Sequence, residues 1–113
     1  MNNRSTMYRL IIEGSYCAAK TYMSCIDFSS VLANTVRMAE IGRQCFKRED
    51  GITVSITFNE THQILHTRLE QQSVILEISS HKDFDKDQVV KAFKMFFKPK
   101  HLFLGKVTMT ETR

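Results

Sequence analysis

The sequence has little of what builds linkers, leader segments or membrane anchors. Its 113 residues include only four glycines and one proline, which excludes long flexible linkers. Its apolar runs are a few residues long, whereas a membrane-spanning helix needs about 20 residues. The first seven residues are polar and lack the apolar core of a secretory signal. We therefore expect a cytoplasmic protein with no membrane partner.

Cysteine is also scarce, and its spacing excludes two common uses. The three cysteines, Cys17, Cys25 and Cys45, are an odd number and form no CxxC pair. This pattern argues against a disulfide framework and against a structural zinc site. Reduced, packed thiols are the expected state of all three.

The remaining composition is that of a folded protein. Hydrophobic residues make up 42% of the chain and charged residues 25%, so residues 1–113 are expected to form a single domain with loose ends at 1–7 and 110–113. The net charge of +4 is a mild excess. Because aromatic and basic residues do not interleave as they do in RNA-binding sheets, we expect no nucleic-acid partner.

Apolar spacing predicts the element order β-α-β-β-β-α-β. The predicted strands are 8–13, 52–58, 61–67, 73–79 and 101–109. A first helix begins after Asp27 and ends at Gly42, and a second begins after Asp83 or Asp85 and ends before Pro99. Residues 43–50 are predicted to be a polar connection that ends in a turn.

This order indicates an α+β fold, a two-layer sandwich with a mostly antiparallel sheet and two helices on one face. Three consecutive strands with short links pair most simply as antiparallel neighbours. Because so small a helical layer leaves a sheet face or edge uncovered, we expect a homo-oligomer.

The segment from Glu60 to Glu70 is the most informative part of the chain, because it holds two histidines and two glutamates. His62 and His66 share one face of the predicted strand, about 13 Å apart at about 3.3 Å per residue. That separation disfavours a shared metal ion, and we expect no metal site. Two interpretations stay open. One is acid-base chemistry by Glu60, His62, His66 or Glu70, and the other is a structural role in hydrogen bonding.

Two other glutamates interrupt apolar strands. Glu13 is expected to be functional or paired, because an isolated carboxylate is costly in an apolar environment. Glu77 has the same surroundings, and an edge strand would explain it.

The same segment resembles the core motif of the prokaryotic, pyruvoyl-dependent S-adenosylmethionine decarboxylases. The specific match is its spacing, and weaker similarity runs from about residue 8 to residue 107. The matching residues are Gly51-Ile52-Thr53, Glu60-Thr61-His62, His66-Thr67 and Glu70, with supporting matches at Leu10–Cys17, Lys91-Ala92-Phe93 and Phe97–Lys100.

The resemblance implies a set of catalytic positions, and two of them are altered. In the family, a serine between the glutamate and the first histidine cleaves its own chain and becomes the pyruvoyl group. Here that position is Thr61, which would give a 2-oxobutanoyl group instead. The processing histidine corresponds to His66. The catalytic cysteine, a proton donor, corresponds by spacing to His81.

The resemblance also implies the ligand, S-adenosylmethionine or a nucleoside derivative of it. Glu70 would bind the ribose hydroxyls and Phe46 would stack on the adenine. We expect a lyase that needs no covalent cofactor and releases methylthioadenosine and a lactone. Two alternatives remain: decarboxylation through a Thr61-derived 2-oxoacyl group, and a non-catalytic binding or regulatory homologue.

Overall fold

A computed structural model of the chain describes residues 4–17, 22–36, 39–59, 61–68 and 72–112. These residues form six strands and two helices. Their bounds are β1 (Arg4–Ser15), α1 (Tyr22–Val36), β2 (Glu40–Arg48), β3 (Gly51–Phe58), β4 (Thr61–Arg68), β5 (Ser73–Ser80), α2 (Lys86–Phe97) and β6 (His101–Thr112). Within the described ranges, neither helix combines the length and apolar character that crossing a membrane requires.

The strands form one sheet in the order β2-β3-β4-β5-β1-β6, and every neighbouring pair is antiparallel. Both helices pack on the same face. Gln63 of β4 donates a hydrogen bond to Ser29 of α1, with 3.2 Å between Nε2 and Oγ. A Cβ at Gly14 of β1 would lie 2.9 Å from the Phe93 ring of α2. The predicted two-layer α+β sandwich is therefore confirmed.

The core lies between the helices and the face of the sheet that they cover. The Phe28 ring of α1 packs against Phe93 and Phe97 of α2, with ring centroids 6.1 and 5.1 Å apart. Burying each such side chain stabilises the fold by about 1.5–3 kcal/mol. The strands contribute Leu10, Ile12, Val54, Ile56, Leu65, Val74, Leu76 and Ile78, all fully buried.

The structure adds one strand to the predicted order. Residues 43–50 were expected to be a polar connection, and Gly42 was expected to end a helix, yet β2 pairs with β3 along its length. Because β2 is an edge strand, most of its side chains are exposed on both faces. The apolar alternation that reveals a half-buried strand is therefore missing.

The N-terminus of α1 differs from the prediction, whereas the N-terminus of α2 agrees with it. The predicted cap at Asp27 is wrong, because α1 begins at Tyr22 and buries Cys25, Phe28 and Leu32 along one stripe. For α2, Asp85 is the N-cap, and its carboxylate accepts a hydrogen bond from the Gln88 amide at 3.1 Å.

Strands β1 and β6 extend beyond their predicted bounds. Arg4 pairs with Thr112, and this ladder continues to Met7 and Met109, so the strands include residues 4–7 and 110–112. Both segments are polar, and backbone pairing between them leaves no apolar signal in the sequence.

Candidate functional site on the open sheet face

The described helices leave the second face of the sheet open, and the strand registers align six side chains across it. The cross-strand partners form a single row, which we call the central row: Phe46, Thr53, His66, Ile75, Glu13 and Phe103. Neighbouring strands lie about 4.8 Å apart. Phe46 and Glu13 are therefore each about 10 Å from His66 by strand spacing. Three residues that the sequence singled out thus share one surface.

The β2–β3 turn positions one end of this row. Arg48 ends β2 and pairs with Gly51 at the start of β3. A Cβ on Gly51 would collide with the Thr67 carbonyl of β4, whose carbonyl carbon would be only 2.8 Å away. The Thr67 hydroxyl also accepts a hydrogen bond from the Ile52 amide at 2.9 Å. Glycine thus lets β3 approach β4 closely beside Thr53 and His66.

A chain of polar contacts runs from Arg48 to His66 across β3. Arg48 Nη2 donates a hydrogen bond to the Thr53 hydroxyl oxygen at 3.0 Å. The same oxygen lies 2.9 Å from Nδ1 of His66. Both contacts lie on the open face, where the His66 imidazole is half-exposed. The contact with Thr53 uses Nδ1, and the other ring nitrogen of His66 is Nε2.

The surroundings of His66 favour its neutral form. Burial, followed by the nearby Arg48 guanidinium, lowers the pKa of the His66 imidazole from its usual value. Arg68 lowers this pKa further, and the Glu77 carboxylate opposes the shift. Glu77 itself lies 3.6 Å from Arg9 in a partly exposed ion pair. At a given pH, His66 is therefore protonated to a smaller extent than an unperturbed histidine.

A shallow hollow lies beside the Phe46 end of the central row. It is open to solvent, and its volume is about 340 Å³. The residues that line it are Gly42, Arg43, Gln44, Ser55 and Thr57. Next to it, 54% of the Phe46 side chain is exposed, although Phe46 is a large apolar residue. An aromatic face beside polar hydroxyl and amide groups can bind a flat, polar ring system.

Thr61 lies on the covered face, away from this surface. Its side chain is 1% exposed, and its hydroxyl donates a hydrogen bond to Ser80 Oγ at 2.7 Å. Ser80 in turn donates to the Lys82 carbonyl and accepts from the Lys82 amide. Because side chains alternate along a strand, Thr61 and His66 point to opposite faces of β4, about 16 Å apart at about 3.3 Å per residue.

The other predicted residues are dispersed. His62 is exposed on the open face of β4, four residues before His66, and pairs with Ser79. His81 is exposed directly after β5, at the end of the sheet where Ser80 pairs with Thr61. Glu60 and Glu70 lie outside the residues that the structure describes. Within those residues, no group of three or more His, Cys, Asp or Glu side chains could hold a metal ion.

Sequence reasoning missed Arg48, which belongs to no motif. It gave no role to Thr53, and only the pairing of β2, β3 and β4 reveals the contacts of Arg48 and Thr53 with His66. Glu77 was visible as a charge on an apolar strand. The expectation that it lies on an edge strand is wrong, because β5 lies between β4 and β1.

The comparisons identify a fold and no family. No protein-family model and no curated protein sequence matches the chain. Among solved structures, the adenosylmethionine decarboxylase from Aquifex aeolicus VF5 superimposes with a TM-score of 0.69. The alignment covers 96% of this chain and 91% of that one, at 10% sequence identity. The chain therefore has the fold of that adenosylmethionine decarboxylase.

Proposed function

We propose that the protein binds S-adenosylmethionine, or a nucleoside derivative of it, on the open face and cleaves it without a covalent cofactor. The products would be methylthioadenosine and a lactone. Two independent features support the ligand class: the fold of an adenosylmethionine decarboxylase and the spacing of Glu60, His62 and His66 in the sequence.

The proposed cleavage needs no covalent cofactor. The substrate carboxylate attacks the carbon of its own amino-acid chain that is bonded to the sulfonium sulfur. A carbon–oxygen bond forms and that carbon–sulfur bond breaks. The bonding electron pair goes to sulfur, and no proton is transferred. The protein must therefore orient the carboxylate and remove its water, which are effects of position and desolvation. A neutral His66 can take part in orientation without acting as a base.

The environment of the Thr61 hydroxyl is the observation that carries the cofactor-free proposal. In the resembling family, the hydroxyl group at this position must attack the peptide bond that precedes it. Here the Thr61 hydroxyl is buried and donates to Ser80. This arrangement disfavours a Thr61-derived 2-oxoacyl group.

The open face offers complementary groups for each part of the ligand. Phe46 would stack on the adenine, with the hydroxyls of Thr53 and Ser55 near the ribose. Glu77 would attract the sulfonium cation, which also interacts favourably with an aromatic ring. Because the sulfonium loses its charge during cleavage, Glu77 would contribute to binding more than to the rate.

Product analysis of the purified protein tests this proposal. S-adenosylmethionine is incubated with wild type, Phe46→Ala, His66→Gln and Thr61→Val, and products and intact protein mass are measured together. We expect methylthioadenosine and an uncut wild-type chain, large losses of activity in the Phe46 and His66 variants, and retained activity in Thr61→Val.

Other outcomes identify the alternatives. Release of carbon dioxide together with a chain cut before Thr61 would establish decarboxylation instead. Binding of S-adenosylmethionine with no product from any variant would establish a binding or regulatory homologue.

A further inference from the structure

The contacts between Arg48, Thr53 and His66 have definite hydrogen-bond donors and acceptors. A guanidinium can only donate hydrogen bonds, so the Thr53 oxygen is the acceptor of the Arg48 contact. The hydroxyl proton of Thr53 is then directed to an acceptor, and Nδ1 of His66 lies 2.9 Å away. Accepting from a cation polarises the O–H bond and makes Thr53 a stronger donor.

We propose that Arg48, Thr53 and His66 form a carboxylate-binding subsite, in which Thr53 is a positioning residue that holds His66 as its Nε2–H tautomer. The Nε2–H group then donates to one oxygen of a ligand carboxylate, and the Arg48 guanidinium adds positive charge on the same face of the sheet. The identity of that carboxylate, the amino-acid end of an S-adenosyl ligand, rests on the proposed function.

The charges around this subsite favour an anion. Arg48 lies at one side, and Arg68 acts on His66 from its own strand. Asp50 is the nearest competitor, with its Oδ1 atom 3.7 Å from Arg48 Nε. That distance exceeds a hydrogen bond, and both side chains are more than half exposed. Such surface pairs contribute little, so a ligand can displace Asp50.

Glu77 is the second nearby carboxylate, and its own partner limits its effect. It lies on β5 diagonally from His66, since Glu77 pairs with Ile64. The Arg9 guanidinium, 3.6 Å away, draws Glu77 toward β1. The Arg48 side of His66 is therefore its electropositive side.

A neutral His66 suits the proposed reaction. A carboxylate held through one oxygen keeps the other oxygen available to attack carbon. An imidazolium would form a stronger ion pair and stabilise the unreacted carboxylate more. A neutral Nε2–H group orients the carboxylate and reduces its nucleophilicity less.

The tautomer is tested first, on the free protein. Long-range ¹H–¹⁵N NMR distinguishes the two ring nitrogens of His66 in wild type, Thr53→Val and Thr53→Ser. We expect the Nε2–H form in wild type and in Thr53→Ser, and a mixture of tautomers in Thr53→Val. An Nδ1–H form in wild type, or no change in Thr53→Val, would overturn the role of Thr53.

The subsite is then tested with a carboxylate that carries no nucleoside. L-methionine is titrated against L-methioninamide while the Arg48 Nε–H and His66 Nε2 signals are followed. We expect only L-methionine to shift both signals, and Arg48→Gln to weaken its binding at least tenfold. Lys47→Gln is the matched control, since Lys47 precedes Arg48 on the same strand and pairs with Ile52 on the covered side. It should change the affinity less than twofold.

Equal shifts with both ligands, or none with L-methionine, would refute the subsite. The proposed function is scored separately by product formation from S-adenosylmethionine. Carboxylate binding without turnover would keep the subsite and remove the lyase.

Discussion

Thr61 and His66 lie on the same strand but on opposite faces of the sheet. Thr61 is buried on the covered face of β4, where it donates to Ser80. His66 faces outward and contacts Thr53. An odd separation of five residues along a regular strand imposes this arrangement, whatever the chemistry of the two side chains.

Thr61 should therefore behave as a structural residue. We expect wild type and Thr61→Ser to remain single chains of 13.1 kDa by intact mass after prolonged incubation. Thr61→Val should lower the free energy of unfolding by about 1 kcal/mol, because Ser80 loses a buried donor. Thr57→Val on the half-exposed side of β3 is the control and should change this energy by less than about 0.5 kcal/mol. Two fragments from Thr61→Ser would contradict the structural role.

The sequence predicts the elements whose side chains alternate between core and open face. Strands β3, β4 and β5 bury every second residue, so their periodicity is visible. Strand β2 is exposed on both sides and carries no such signal. Helix α1 begins at Tyr22, five residues before Asp27, and Cys25 already belongs to its buried stripe.

The site is less predictable because it depends on register. His66 and Phe46 were found by motif and resemblance, but nothing in the chain order brings them within two strands of each other. Thr53 joins them only because β3 pairs with both β2 and β4 at that residue. A shift of one residue in either pairing would place Thr53 on the wrong face.

Two charge-removing variants should move the pKa of His66 in opposite directions. Arg48→Gln removes a positive charge that lowers this pKa, so the pKa should rise toward its usual value of 6.5. Glu77→Gln removes the carboxylate that opposes the shift, so the pKa should fall further. Titration of the His66 ring protons by NMR measures both. Shifts of the same sign in the two variants would refute this account of the electrostatics.

The lowered pKa also predicts how stability depends on pH. As the pH falls through 6.5, the unfolded chain takes up a proton at His66 before the folded protein does. The stability that this difference contributes is fully present above pH 6.5 and is lost as the pH falls toward the folded-state pKa. Urea unfolding at pH 7.5 and 5.5 should show a smaller loss in His66→Gln than in wild type. An equal loss would mean that His66 makes no contribution.

Phe46 and Phe103 occupy opposite ends of the central row and provide a matched test of adenine stacking. Both are exposed, at 54% and 70%. Phe46 lies two residues along β2 from Gln44, which lines the hollow with Ser55, whereas Phe103 lies on β6 at the other edge of the sheet. Stacking on a base is worth about 1–3 kcal/mol, so Phe46→Leu should weaken S-adenosylmethionine binding about fivefold or more in calorimetry. Phe103→Leu should leave it within about twofold. Equal effects would place the adenine elsewhere.

Gly51 and Gly42 test whether the close approach of β3 to β4 shapes this surface. A methyl group at Gly51 would overlap the Thr67 carbonyl, and one at Gly42 would meet no atom within 4 Å. Gly51→Ala should lower the free energy of unfolding by about 2–4 kcal/mol, the range of strained backbone and packing defects. Gly42→Ala should change it by less than about 0.5 kcal/mol. Urea denaturation measures both, and the NMR signals of His66 should shift in Gly51→Ala alone, since separating the strands alters its contact with Thr53. Equal stabilities for the two variants would show that β3 and β4 do not meet as closely as Gly51 implies.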